Sequence, residues 1–265
     1  MKKGKKLYEG KAKIIYATND KNLVIQYFKD DATAFNNEKK SIIEGKGVLN
    51  NRISEHILSN LSEIGIKNHL IKRINMREQL VKLVDIIPIE FVMRNVATGS
   101  LTKRLGIEEG TILERPLIEY CLKDDKLGDP IISREHILTF NWLNIMQLDW
   151  IDKNLSRLND FLLGMFRAVG IKLIDFKVEF GLTHESGKTQ IVLADEISPD
   201  TCRLWDRITE KKLDKDRFRK DLGDLIPAYS EVAKRLGILH EQSNVSAVNV
   251  TKLSSVKRKR KWKFL

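Results

Sequence analysis

IKLIDFKVEFGLTHESGKTQIVLADEISPDTCRLWD, from Ile171 to Asp206, reads as a β-hairpin that carries charge where a buried strand should carry none. By the period-2 rule Ile174, Phe176, Val178 and Phe180 share one face of its first strand, which leaves Asp175, Lys177 and Glu179 on the other. The polar run from His184 to Lys188 supplies the turn. The return strand, QIVLADEI, brings Asp195 and Glu196 back to the same region. Carboxylates and a lysine beside apolar strand residues are costly to desolvate without a partner, and a metal ion with phosphate oxygens is the usual one. A hairpin with one solvated face would alternate in the same way. The continuation SPDTCRLWD, with Asp200, Arg203 and Asp206 close together, tips the reading toward a site.

The chain around this hairpin has 265 residues and 42% hydrophobic content, enough for one substantial core or two closely joined ones. No run approaches the roughly 20 apolar residues that span a bilayer. The start, MKKGKKLYEG, has lysines with no apolar segment behind them, so no signal peptide is expected. Cys121 and Cys202 lie far apart and in no CxxC spacing; a reducing cytoplasm is the expected home, with zinc and redox chemistry unsupported. The formal net charge is +11, but Lys252 to Leu265 holds seven of the 47 basic residues and none of the 36 acids, so the remainder carries +4. That is ordinary for a soluble domain and argues against a nucleic-acid-binding module, whose charge should spread over folded surface with aromatics. Within the tail, VKRKRKWKF sets Trp262 and Phe264 beside five consecutive basic residues. Such a cluster suits weak contact with a polyanion, RNA or anionic lipid; a solvated extension without a partner has the same composition.

Upstream, Lys6 to Ala17 reads as a strand interrupted at Gly10, followed by a second strand at Leu23 to Phe28. The interruption exposes Lys11 and Lys13, a pair that either reaches one phosphate group or is simply solvated. Gly45-Lys46-Gly47 lacks the glycine spacing and the following Ser or Thr of a P-loop, though glycines around a lysine mark a backbone that needs room. A helix is predicted from Val48 to Leu61, stopping near Gly65. Strands are predicted over HLIKRI, EQLVKLVDII and PIEFVMRNVA, with Pro88 separating the last two. Arg94, Ser100 and Arg104 gather at a strand-to-helix junction, which suits an anion site and equally an N-cap serine with solvent-facing arginines. Glu108 to Asp129 reads as an acidic loop. Asn154 to Val169 reads as a helix closed by Gly170, and further helical segments follow at Lys215 to Lys220 and about Asp224 to Leu236.

Six blocks, LYEGKAK (7–13), IEGKG (43–47), IPIEFVMRNVATGSLTKRLGIEEG (87–110), KDDKLGDP (123–130), LIDFKVEFG (173–181) and LADEISPDTCRLWD (193–206), stand in one order along the chain. With them the sequence resembles, from Leu7 to about Leu239, the SAICAR synthetase (phosphoribosylaminoimidazole-succinocarboxamide synthase) family of de novo purine synthesis. The resemblance implies an α+β, two-lobed fold related to ATP-grasp and kinase-like architectures. An N-terminal, mostly antiparallel β lobe would cover residues 1–85 and a larger α+β catalytic lobe residues 86–240; the serine-, asparagine- and lysine-rich tail over residues 241–265 reads from its composition as basic and disordered. The resemblance also implies an ATP-dependent ligase. This joins L-aspartate to the carboxylate of 5-amino-1-(5-phospho-D-ribosyl)imidazole-4-carboxylate (CAIR), giving SAICAR, ADP and phosphate through an acyl phosphate.

By the same resemblance Lys11 and Lys13 contact ATP phosphates, and the segment running from Lys82 through Ile86 to Ile87 passes the adenine. Glu179 and Asp195 hold Mg²⁺, and Lys177 neutralises the transferring phosphoryl group or the ribotide carboxylate. Arg94, Ser100 and Arg203 grip the ribotide, Arg203 and Arg219 facing its phosphate and Asp200 its ribose or imidazole side. The aspartate pocket falls to Lys46, Asn37 and Asp129. A cytoplasmic homodimer is implied, with no specific nucleic-acid partner. Two positions depart from the family pattern: Asn37 replaces a small residue, and Leu83 replaces a second lysine found after Lys82 in some members.

Overall fold

The computed structural model describes residues 2–34, 39–185 and 187–239, so Asn37 and the basic tail lie outside the described residues. The N-terminal hairpin forms as expected from its sequence. β1 (Lys6–Glu9) and β2 (Lys13–Ala17) flank the Gly10 turn, and β3 (Leu23–Phe28) pairs back on β2. A short antiparallel pair, β4 (Asp31–Ala34) and β5 (Lys39–Ile42), leads into helix α1 (Lys46–Glu63). Strands β6 (Leu70–Arg73) and β7 (Glu78–Lys82) complete a five-stranded antiparallel sheet in the order β1-β2-β3-β7-β6. The glycines around Lys46 have a steric cause. Gly45 sits at φ +88° ahead of the helix, and a Cβ on Gly47 would fall 2.5 Å from the carbonyl oxygen of Phe28.

The second sheet begins three residues after the first ends. It contains β8 (Asp85–Val96), β9 (Ile112–Leu122), β10 (Ile131–Ile132), β11 (Ile171–Glu185), β12 (Lys188–Ala194) and β13 (Cys202–Asp206). All are antiparallel, in the order β10-β9-β8-β11-β12, with β13 also on β11. One edge of β11 therefore belongs to β8, and the other is shared end to end by β12 and β13. Helices α2 (Ser100–Leu105), α3 (Arg134–Thr139), α4 (Ile145–Ala168), α5 (Asp216–Arg219) and α6 (Leu225–Arg235) complete the elements of the described residues. No described helix is long and apolar enough to cross a membrane.

One core joins these parts. Ile53, Ile57 and Leu61 of α1 pack with Leu155, Leu158 and Leu162 of α4, Tyr229 and Val232 of α6, and Phe176, Val178 and Phe180 of β11. Phe180 meets Phe91 edge to face at 5.3 Å. Each such side chain, fully buried, contributes roughly 1.5–3 kcal/mol. The sheets are also stitched together directly: Asn68 forms a parallel bridge with Leu193, whose backbone accepts from His69 N at 2.9 Å and donates to Lys67 O at 3.0 Å.

Four expectations need correction. Ile174 does not share a face with Phe176; the register shifts between Leu173 and Asp175, and Ile174 packs with Val96 and Trp205 on the far side of the sheet. A bulge adds one residue and so inverts the alternation beyond it. Pro88 does not divide two strands: β8 runs through it, because the pairing on β11 shifts between Glu179 and Gly181, opposite this point, and a bulge tolerates proline. The break falls instead at Leu83-Val84. Half of the supposed acidic loop is strand β9, which places Ile118 and Tyr120 against Met93 and Phe91. Finally, α4 begins nine residues before Asn154, at a capping box of Asn144 with Gln147.

The glycines give a paired test. G47A forces a methyl group against immovable backbone and should cost about 1–3 kcal/mol. Gly164 is exposed on α4 with nothing within 4 Å of its would-be Cβ, so G164A should gain about 0.5–1 kcal/mol. Thermal unfolding should show the two midpoints moving in opposite directions, at roughly 2–4 °C per kcal/mol. Movement in the same direction would refute the close approach of α1 to β3.

Candidate active site

A cavity of about 700 Å³ lies between the two sheets. One part is apolar, lined by Ile15, Val24 and Val81 from the first sheet and by Val84 and Ile86 where the chain crosses to the second. The other part is strongly charged, lined by Lys11, Lys13, Glu90, Lys123, Lys177, Glu179, Asp195 and Glu196. Lys82, Asp129, Asp200 and Arg219 also reach the lining. Ten of the residues expected at a site from sequence therefore share one cavity.

The sheet register explains the charged part. Glu179 on β11 stands directly opposite Glu90 on β8, an arrangement that destabilises a sheet unless the charges are compensated. Each takes its own lysine: Lys177 bonds Glu90, and Lys123 bonds Glu179. On the far side of β11, Ala194 pairs with Glu179, and Asp195 follows it with φ +61°. That left-handed conformation, uncommon for a residue with a side chain, turns the Asp195 carboxylate into the cavity, where Lys13 bonds it and also reaches Glu196 at 2.9 Å. The backbone carbonyl of Asp195 meets His69 Nε2 at 2.9 Å. Burial holds the His69 imidazole down to about 4, so the ring is neutral at pH 7 and Nε2 carries the proton that this carbonyl accepts.

The two cavity carboxyls are pushed apart electrostatically. Burial, with the nearby Asp195 charge, raises Glu179. For Asp195 burial acts the same way but is outweighed by Lys13, and the group is held below the usual range. Burial would lower Lys177, yet Glu90 and Glu179 together raise it, so the ammonium stays charged. Among the described residues no three or more His, Cys, Asp or Glu converge as a metal site. Glu179 and Asp195 fit a hard divalent ion of the kind held by one or two carboxylates, with phosphate oxygens and water completing the shell.

Two further clusters adjoin the cavity. Asp200 takes Lys46 Nζ at 2.7 Å on one oxygen and the Tyr229 hydroxyl at 2.6 Å on the other, with Lys215 at 3.8 Å. Lys46 and Asp200 are both almost fully buried. Burial alone would raise Asp200, but Lys46 and then Lys215 hold it far below the carboxylate range. The second cluster centres on Asp175, whose Oδ2 accepts from Arg94 and Arg203, each at 2.8 Å. Arg94 also donates to Glu119 at 2.6 Å and to Ser100 Oγ at 3.1 Å. Arg203 reaches Asp216 at 3.1 Å, which in turn accepts from Arg219 at 2.7 Å.

Arg94, Ser100 and Arg203 thus come together, but outside the cavity lining, and Arg219 is the link between them and it. The helix cap at this junction is Gly99, not Ser100, and Arg94 is buried; the reading as a serine cap with solvent-facing arginines does not hold. A Cβ on Gly99 would fall 2.7 Å from Arg203 Nη2.

Sequence reasoning left Glu90, Lys123, His69, Lys215 and Tyr229 without roles. Glu90 carries a signal in retrospect: once β8 is placed beside β11, a carboxylate opposite Glu179 demands cations. His69 and Tyr229 act through contacts made by distant segments, and no local pattern marks them.

Asp214 provides a pH test of this region. It is fully buried, its oxygens accept from Leu204 N at 2.8 Å and Asp216 N at 2.7 Å, and burial, with the Asp216 charge, pushes it up to about 7 from an ordinary 3.8. A raised folded-state pKa means stability that is fully present below the unfolded value and lost as pH rises through the folded one. Urea unfolding from pH 4 to 8 should show wild type losing stability relative to D214N across this window. A constant difference would mean that Asp214 does not titrate there.

The SAICAR synthetase family model matches residues 6–236. A phosphoribosylaminoimidazole-succinocarboxamide synthase of Pelagibacter ubique is 78% identical over 260 residues, 98% of this chain and 100% of that protein, a match that extends into the basic tail. The crystal structure of the synthase of that name from Ehrlichia chaffeensis is 51% identical, covers 89% of this chain and 100% of its own, and superposes with a TM-score of 0.87. A solved SAICAR synthetase in complex with ADP is 44% identical, covers 86% of this chain and 96% of its own, and has a TM-score of 0.82. With its order of elements, its cavity and these likenesses, the chain belongs to the SAICAR synthetase family.

Proposed function

We infer that the protein is the ATP-dependent ligase that joins L-aspartate to CAIR, releasing SAICAR, ADP and phosphate. The observation that carries this reading is a single cavity pairing an apolar wall with a dense cluster of lysines and carboxylates, in a chain of this family. A carboxylate resists attack by an amine until it is phosphorylated, and phosphoryl transfer depends chiefly on positioning and charge neutralisation. We assign residues 1–85 to the nucleotide lobe and 86–240 to the catalytic lobe, in keeping with a first sheet that ends at Lys82 and a second that starts at Asp85. Helix α1 crosses that division, since its apolar side chains enter the common core.

The base occupies the apolar part beside Lys82 and Ile86, and the phosphates face Lys11 and Lys13. Glu179 and Asp195 would hold Mg²⁺, which would supply charge neutralisation at the phosphates. Lys13 and Lys123, now on carboxylates, are placed to turn to phosphate oxygens. Lys177, kept charged by Glu90, stands where charge builds up as the γ-phosphoryl group moves to the CAIR carboxylate. The aspartate amine attacks the resulting acyl phosphate, forming the amide and expelling phosphate. Arg94, Ser100 and Arg203 hold the ribotide, with Arg203 and Arg219 toward its phosphate and Asp200 toward its ribose or imidazole. Lys46 and Asp129 are assigned to the L-aspartate pocket with Asn37; because Lys46 is sealed against Asp200, direct contact requires that pair to open. We assign the protein as a cytoplasmic homodimer, in keeping with the family.

Incubation with ATP, Mg²⁺, L-aspartate and CAIR should yield ADP and SAICAR, and no product above a no-enzyme control would remove the reading. E179Q and D195N should each lower turnover by about 10²-fold or more with unchanged unfolding midpoints. Near-wild-type rates at low Mg²⁺ in both would remove the metal assignment. H69A, which frees the Asp195 carbonyl, should raise the Mg²⁺ concentration for half-maximal rate by about tenfold, and H69Q, whose amide can donate, should recover part of that loss. The same Mg²⁺ requirement in all three proteins would make the His69 bond incidental.

A further inference from the structure

Gln26 stands between the charged and apolar parts of the cavity. It is 3% exposed, it lines the cavity, and its Nε2 has no hydrogen-bond partner. Leaving a buried amide donor unpaired is costly, so such groups are as a rule satisfied, by the protein or by what it binds. The register fixes its place. Gln26 pairs with Ile15 on β2 and Gln79 on β7, one row from the Lys13–Phe28 pair and one row from the Val24–Val81 pair. Rows on the same face are roughly 7 Å apart. The amide therefore lies about one row from the lysine that faces phosphate and one row from the apolar wall that takes the base.

We propose that Gln26 reads the adenine of ATP, its Oε1 accepting from the exocyclic N6 amine and its Nε2 donating to N7. The proposal rests on the ligase reading and deepens it. The amide presents one acceptor and one donor at the spacing of this edge, the pairing glutamine makes with adenine in the DNA major groove. With the triphosphate directed at Lys13, the N7 side of the purine is the side nearer the phosphates, and hence the side that passes Gln26. Guanine offers acceptors at both N7 and O6, so the amide oxygen would meet a second acceptor, and GTP would be disfavoured. The rival acceptor for Nε2 is Oε1 of Gln79, its cross-strand neighbour, which is also unpartnered. Gln79 shares the face of Gln26, but it is fully buried, does not line the cavity, and its own Nε2 donates to Asn51 O at 2.9 Å, so its amide is turned toward α1.

The test changes the ligand before the protein. Wild type, assayed with saturating CAIR, L-aspartate and Mg²⁺, should show a KM for 7-deaza-ATP about tenfold above that for ATP, within the range for a bidentate amide–base pair. Q26L should raise the KM for ATP by a similar factor with little change in kcat, abolish the difference between the two nucleotides, and narrow the preference for ATP over GTP. Calorimetric binding of ADP and 7-deaza-ADP, which needs no turnover, should follow the same pattern and decides the inference even if the product assay fails the ligase reading. If wild type binds ADP and 7-deaza-ADP equally, the proposal is overturned. It is overturned also if Q26L loses only thermal stability and keeps its nucleotide preference, for the amide then belongs to Gln79.

Discussion

The charges on β11 must be compensated before any substrate arrives. Asp175 is held by two arginines, Lys177 by Glu90 and Glu179 by Lys123, at the centre of a sheet whose other face is packed with phenylalanine. Withdrawing an ion from water costs several kcal/mol, and only close, well-bonded partners offset it. Those partners come from β8, β13 and the connection after β9. The strand order around β11 is thus an electrostatic requirement as much as a hydrophobic one. A sheet with the same apolar pattern and another neighbour in place of β8 would bury Lys177 without Glu90.

The same arrangement prepares the cavity for an ionic ligand. Lysines and carboxylates are matched to one another in pairs that bind partners of either sign. Glu179 is raised and Asp195 lowered although the two groups are close, because Lys13 favours one of them and burial penalises the other. On the proposed assignment a cation between them would relieve the mutual repulsion, and the displaced ammonium groups would suit phosphate. Binding would then be an exchange of partners within a nearly neutral cluster, which avoids exposing bare charge.

Much of this was legible in the sequence, and the failures share a cause. The hairpin, the N-terminal strands, α1, α6 and the charged cavity residues Lys11, Lys13, Lys177, Glu179 and Asp195 followed from periodicity, turn residues and charged blocks, whereas Lys82, Ile86, Asp129 and Arg219 came from the family resemblance. Ile174 was misplaced because a bulge is set by the partner strand, which local alternation does not record. β9 was hidden because Glu114, Arg115 and Pro116 imitate a loop in a strand whose first half is largely exposed. The role of His69 depends on a bridge to Leu193, more than a hundred residues away. The charged residues of β11 and its return strand announced themselves. Glu90, Lys123 and Lys215, whose partners lie on other segments, and His69, which orients charge through the backbone, did not.

The bridge from Asn68 to Leu193 has a mechanical consequence. It fastens the two sheets together beside Asp195, two residues beyond Leu193, whereas Lys11 and Asp125 join them through one exposed ion pair of small worth. Any rocking of one sheet on the other must pivot near the strong seam and gape at the weak one. Atoms close to a pivot travel least, so Asp195 and Glu179 keep their spacing through such a motion, while the Gly10 turn, out at the rim, sweeps the longest arc. Geometry at the carboxylates is thereby insulated from whatever movement admits the nucleotide.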